Sequence, residues 1–179
     1  MPFLNSIKRK YWGQAVLWVA LIYATLYPVR PLCEFLKRTT PFALLTNVLL
    51  VTLLAGMTAA VVRAAKFKKF SSYFLMLLTV MVYLYGLNSL DFPEEKIHFF
   101  EYGVLAYLVF RALRIDFSEG VSYPAAFAVC SLLGWVDEGI QEIPPNRYYQ
   151  LSDVVLNSVS SALGLFLIYV FRRERLKSF

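Results

Sequence analysis

The chain holds a single histidine, His98, in a stretch able to move protons. It falls in Glu94-Glu95-Lys96-Ile97-His98-Phe99-Phe100-Glu101-Tyr102. Glu94, His98, Glu101 and Tyr102 are spaced by three and four, so on a helix they share one face. A carboxylate one turn from an imidazole orients it and stabilises its protonated form, which suits general acid–base work. The competing reading is an interfacial histidine hydrogen-bonded to a neighbour.

Two further stretches carry polar groups where apolar ones are expected. Gly134-Trp135-Val136-Asp137-Glu138-Gly139-Ile140-Gln141-Glu142 puts Glu138 and Gln141 three apart at the end of an apolar run. Two prolines follow, then Arg147, whose planar guanidinium suits a carboxylate or phosphate. Further on, Asp153, Asn157, Ser160 and Gly164 fall on one narrow helical stripe. Asn157 lies a turn inside apolar sequence and needs a hydrogen-bond partner there. Glue between helices competes with a site role for it, as a headgroup-level anchor does for Arg147.

The elements holding these residues belong in lipid. Of 179 residues, 59% are hydrophobic and 17% charged, against about a quarter charged in soluble domains. Mean hydropathy is +0.56. A water-soluble fold this small leaves too much surface exposed to hide that side-chain content. Disorder is excluded too, because it requires low hydrophobicity. Six runs approach the roughly 20 apolar residues a spanning helix needs: 12–29, 42–62, 71–90, 97–113, 121–142 and 153–171. The expected class is all-α, a transmembrane bundle. The expected organisation is three helices over 1–90, a polar three-helix core over 91–171 and a basic tail over 172–179. Bulky Tyr23, Leu26 and Tyr27 stand where a signal-peptide cleavage site would need small residues, so the first run reads as a retained helix. Cys33 falls in the expected loop after it and Cys130 inside an apolar run; both read as free thiols.

Charge sets the expected orientation. With the N-terminus in the cytoplasm, Arg30, Lys37, Arg38, Lys96 and Arg147 fall outside, and the other thirteen of the 18 basic residues fall inside. That bias puts both termini in the cytoplasm. It also explains the net charge of +6 without nucleic acid, since the basic residues flank the membrane. The polar interruptions then collect at the outer ends of the last three helices. A shared site open to the extracytoplasmic surface accounts for this, because ionisable groups in spanning helices usually face a bundle interior or a wet cavity.

In these residues the sequence resembles the VanZ-like family of integral membrane proteins, named for teicoplanin resistance, over about 91–165. The carriers are Lys96, His98-Phe99, Tyr102, Leu105, then Glu138 and Gln141, Pro145 and Arg147, and Asp153, Asn157 and Gly164. Lys96 stands two residues before the histidine where three is expected, and Ser160 replaces a glycine. The resemblance implies a plasma-membrane protein of the cell envelope, glycopeptide tolerance in some members, and a polar core akin to that of enzymes acting on lipid headgroups.

Three functions follow. In the first, an enzyme acts on a phospholipid or lipid-linked glycan, with His98, Glu138 and Glu101 as acid–base groups and Tyr102, Gln141, Arg147, Asp153 and Asn157 holding the headgroup. In the second, the same cleft binds a lipid or envelope precursor without turning it over. In the third, the polar stripe is structural or serves transport. Membrane lipids are the expected partners, and no cofactor is called for. His98, Glu101, Glu138 and Asp153 would suit a hard cation, but no metal is assigned. No Gly-rich phosphate loop is present, which argues against an ATP-driven pump.

Overall fold

The computed structural model describes residues 2–65, 67, 69–142 and 149–175, without the side chains of residues 2, 3, 30, 65, 94, 174 and 175. The described residues form six α-helices and no strand: α1 Pro2–Thr39, α2 Phe42–Ala65, α3 Phe70–Ser89, α4 Pro93–Leu113, α5 Glu119–Gln141 and α6 Leu151–Arg175. Four helices contain stretches long and apolar enough to cross a membrane: Leu4–Val29, Phe42–Ala64, Phe70–Ser89 and Leu151–Arg173. The ionisable groups at the start of α4 and the end of α5 dilute the apolar runs of those two helices.

The first helix differs from expectation. It was expected to stop near residue 29, yet it runs through Pro28 and Pro31 to Thr39, so Cys33 is helical and 3% exposed rather than in a loop. Each proline leaves the carbonyl four residues back without its helical donor, Ala24 for Pro28 and Tyr27 for Pro31, and neighbouring helices offset such a loss in a membrane protein. At about 1.5 Å per residue, a helix of 38 residues outreaches the ~30 Å hydrocarbon core.

The centre of the bundle is α4, which packs on α1, α5 and α6. Its buried Tyr102, Leu105, Ala106 and Val109 meet Ala15 and Ile22 of α1, Ala126 and Cys130 of α5, and Leu165 of α6. The first helix thus packs with the last three. The second and third helices lie to the other side, through Leu50, Tyr83, Leu87 and Phe99. On α2, Leu44, Leu45, Val48 and Leu49 are more than half exposed, as befits a helix with a lipid-facing surface.

Small residues set the crossing of α4 and α6. A Cβ on Gly164 would stand 2.6 Å from the Gly103 carbonyl oxygen and 2.9 Å from its Cα, so the two backbones touch there. One turn away, buried Ser160 donates to the Phe99 carbonyl. The stripe of Asn157, Ser160 and Gly164 is thus the buried face of α6. At the opposite end of the bundle, Lys8 pairs with Asp116 at 2.7 Å and Arg172 grips Glu119 with two bonds of 2.9 and 2.8 Å.

Candidate functional site

The polar cluster forms where α4 and α6 begin and α5 ends. Pro93 starts α4 at a position that wants no amide hydrogen, so the acidic stretch after it is helical from the outset. That brings His98 and Glu101 onto one face, with Nδ1 3.3 Å from Oε2. The α5 side adds Asp137, whose Oδ2 is 3.8 Å from the same Nδ1. Asp137 is 0% exposed and Glu138 1% exposed, whereas the side chains of His98 and Glu101 keep 18% and 17%. A half-buried imidazole thus lies within ion-pairing reach of two carboxylates, one of them sealed inside the bundle.

Tyr102, one turn after His98, donates its hydroxyl to Asp137 Oδ2 at 3.1 Å and lies 3.3 Å from the Leu133 carbonyl. Tyr23 of α1 donates to that carbonyl at 2.9 Å, and Trp18 Nε1 donates to the Glu101 carbonyl at 3.1 Å. The first helix therefore clamps both backbones that carry the cluster. The next carboxylate on α5, Glu138, accepts from Gln141 Nε2 at 3.0 Å and from the Gln150 backbone N–H at 3.1 Å. That second bond ties the end of α5 to the segment entering α6.

Asn157 is 2% exposed and packs against Gly134, where an added Cβ would stand 3.0 Å from Asn157 Cβ and 3.6 Å from Tyr102 Cε1. Among the described residues its Oδ1 accepts no hydrogen bond, so the partner the sequence demanded is not found there. Asp153 sits half-buried in the first turn of α6, with Ser152 Oγ 3.3 Å from its Oδ1. Arg147 lies outside the described residues. So His98, Glu101 and Tyr102 gather around Asp137, Glu138 and Gln141 continue the cluster along α5, and Asn157 lies one α5 turn from Glu138. Among the described residues no three His, Cys, Asp or Glu side chains are placed to hold a metal ion.

Asp137, Tyr23 and Trp18 were not among the expected site residues. Asp137 had a visible signal: Ser122, Ala126, Cys130 and Gly134 recur every fourth residue as the buried stripe of α5, and that stripe runs on into Asp137 and Glu138. An acid on a stripe of small residues is an acid pressed against another helix. Tyr23 and Trp18 had none, because aromatic residues in a spanning helix are ordinary. A cavity of about 330 Å³ lies across α4 from the cluster, lined by apolar residues of α2, α3, α4 and α6.

The arrangement can exchange a proton at His98 and hold the resulting imidazolium between two carboxylates. It can also present Glu138 and Gln141 to a polar group near the α5–α6 connection. No protein-family model, curated protein or solved structure matches this chain.

Proposed function

We propose that this chain is a VanZ-like protein of the plasma membrane and cell envelope, with six spanning helices and both termini in the cytoplasm. Its polar cluster then faces the extracytoplasmic side and acts on the headgroup of a phospholipid or lipid-linked glycan. The observation that carries the reading is the pairing of the only histidine with Glu101 at 3.3 Å and buried Asp137 at 3.8 Å. A charge sealed into a membrane bundle is costly, and such residues usually mark a functional pathway or site. The ordered motif from Lys96 to Gly164 supports the family, and the distribution of Lys and Arg supports the orientation.

In this mechanism His98 takes a proton from water as the water oxygen attacks the headgroup phosphorus. Glu101 and Asp137 stabilise the imidazolium. The proton then passes to the leaving oxygen as its bond to phosphorus breaks, which restores His98. Glu138 and Gln141 hold the headgroup, Arg147 from the α5–α6 connection offsets phosphate charge, and Asp153 and Asn157 complete the polar wall. Tyr102 fixes Asp137 and so positions His98 indirectly.

A second reading is favoured by the complete burial of Asp137: the cluster binds a lipid or envelope precursor without turning it over. Mass spectrometry of lipids from vesicles holding the purified full chain separates the two. The enzyme reading expects headgroup release, reduced ~10²–10⁴-fold by His98→Gln. A specific lipid retained equally by wild type and variant, with no conversion by either, would overturn catalysis in favour of binding.

A further inference from the structure

The opposite face of α4 carries a second constellation. At about 100° per residue, His98, Glu101 and Tyr102 look one way, and Lys96, Phe100, Gly103 and Tyr107 look the other. Lys96 is 8% exposed. A lysine so near a helix start would ordinarily snorkel to water. Instead its Nζ donates to Asn47 Oδ1 of α2 at 2.8 Å. Among the described residues it forms no ion pair, so the ammonium of this largely buried lysine stands there with one neutral acceptor and no counter-charge.

The apolar cavity of about 330 Å³ begins one turn further along both helices, at Leu50 of α2 and Phe100 of α4. Leu54, Val104 and Leu167 continue its walls. Tyr83 and Tyr107 are the only lining residues with an oxygen or nitrogen on the side chain. An apolar cavity is a poor place for water. From Lys96 to Tyr107 is eleven residues, or about 16 Å along the helix. That is about half the ~30 Å hydrocarbon core, the depth of one leaflet.

We infer that this crevice is a binding site for an anionic phospholipid, whose phosphate meets the Lys96 ammonium while one acyl chain lies in the slot between α2, α3, α4 and α6. Charge complementarity selects the occupant. Among the described residues the ammonium lacks an anion, and the walls of the space beyond it are largely apolar. A zwitterionic lipid offers the same chain and phosphate, but its own cation competes with Lys96. The site is separate from the His98 cluster, and its test does not depend on turnover.

The test uses the purified full chain in phosphatidylcholine vesicles carrying a little phosphatidylglycerol with a diazirine midway along one acyl chain. Matched diazirine phosphatidylcholine and diazirine stearic acid serve as comparison probes. After irradiation, peptide mass spectrometry should find phosphatidylglycerol adducts concentrated on residues 54–61 and 103–107. These should exceed the phosphatidylcholine adducts about five-fold, the worth of one lysine beside an anionic lipid. Lys96→Met should erase that preference, Lys96→Arg should keep it, and Leu54→Trp should reduce labelling by both lipids by filling the slot. Equal labelling by the two lipids in the wild type would overturn the site, as would undiminished preference in a folded Lys96→Met protein. Stearic acid labelling the slot better than phosphatidylglycerol would overturn the phosphate assignment.

Discussion

Replacing Gly164 with alanine tests the geometry on which both sites depend. The new Cβ would stand 2.6 Å from the Gly103 oxygen and 2.9 Å from its Cα, against 3.4–4 Å for ordinary contact. Both opposing atoms are backbone, so no side chain can swing aside. The helices must part by about 0.8 Å, and a gap of that order forfeits about a quarter to a half of the dispersion attraction across it. Overpacking of this kind costs about 1–3 kcal/mol. Alanine gains up to ~1 kcal/mol over glycine from helix propensity, so a comparison with other glycines isolates the clash. Gly56 and Gly139 are helical with nothing within 4 Å of an added Cβ. Gly56→Ala and Gly139→Ala should hold or raise stability, while Gly164→Ala should fall roughly 1–3 kcal/mol below those two. Reversible unfolding of the purified chain in mixed micelles, titrated with sodium dodecyl sulfate and followed by tryptophan fluorescence, measures the differences. The same parting pulls Ser160 from the Phe99 carbonyl, so headgroup turnover should fall with stability. A Gly164→Ala protein as stable as Gly139→Ala would refute backbone contact between α4 and α6.

Three further outcomes are expected. Glu119→Gln should cost no more than ~1 kcal/mol, because both members of its pair with Arg172 are about a third exposed. The guanidinium beside it holds the Glu119 carboxyl below the usual value of about 4.3. The wild type therefore has this contribution above that pH and loses it as pH falls further, whereas the variant should lack that acid-side loss in melts from pH 6 to 3. Single cysteines placed over 63–70 should resist a membrane-impermeant maleimide added to whole cells, and those over 143–150 should react; the reverse pattern would turn the proposed site to the cytoplasm. Arg147→Lys keeps the charge but loses the planar two-point fork, so it should abolish most headgroup turnover at unchanged membrane abundance; full activity with lysine would remove Arg147 from the site.

The six helices were legible in sequence because each apolar run is bounded by charge, proline or both, and lipid leaves the backbone no other way to satisfy its hydrogen bonds. The exception, α1, shows what such boundaries miss. Pro28 and Pro31 mark an ending in water, but cover from neighbouring helices lets the chain continue. The site was legible to the extent that its residues share a helix. His98 and Glu101 are three apart, as are Glu138 and Gln141, and helical spacing alone brings each pair together.

What joins those pairs depends on how α1, α4, α5 and α6 rotate against one another, and no spacing within a helix records that. Asp137 and Glu138 are consecutive, so they point about 100° apart, one toward α4 and the other toward the segment entering α6. The crossing of three helices employs both of these neighbouring acids. The same rotation explains Lys96. In sequence it looks like one more charge beside His98. Two residues of helix turn it by about 200°, away from the carboxylates and onto Asn47 at the mouth of an apolar slot. One short stretch of α4 thus serves two chemically opposite environments: a carboxylate-rich cluster able to move protons, and a cationic mouth over hydrocarbon.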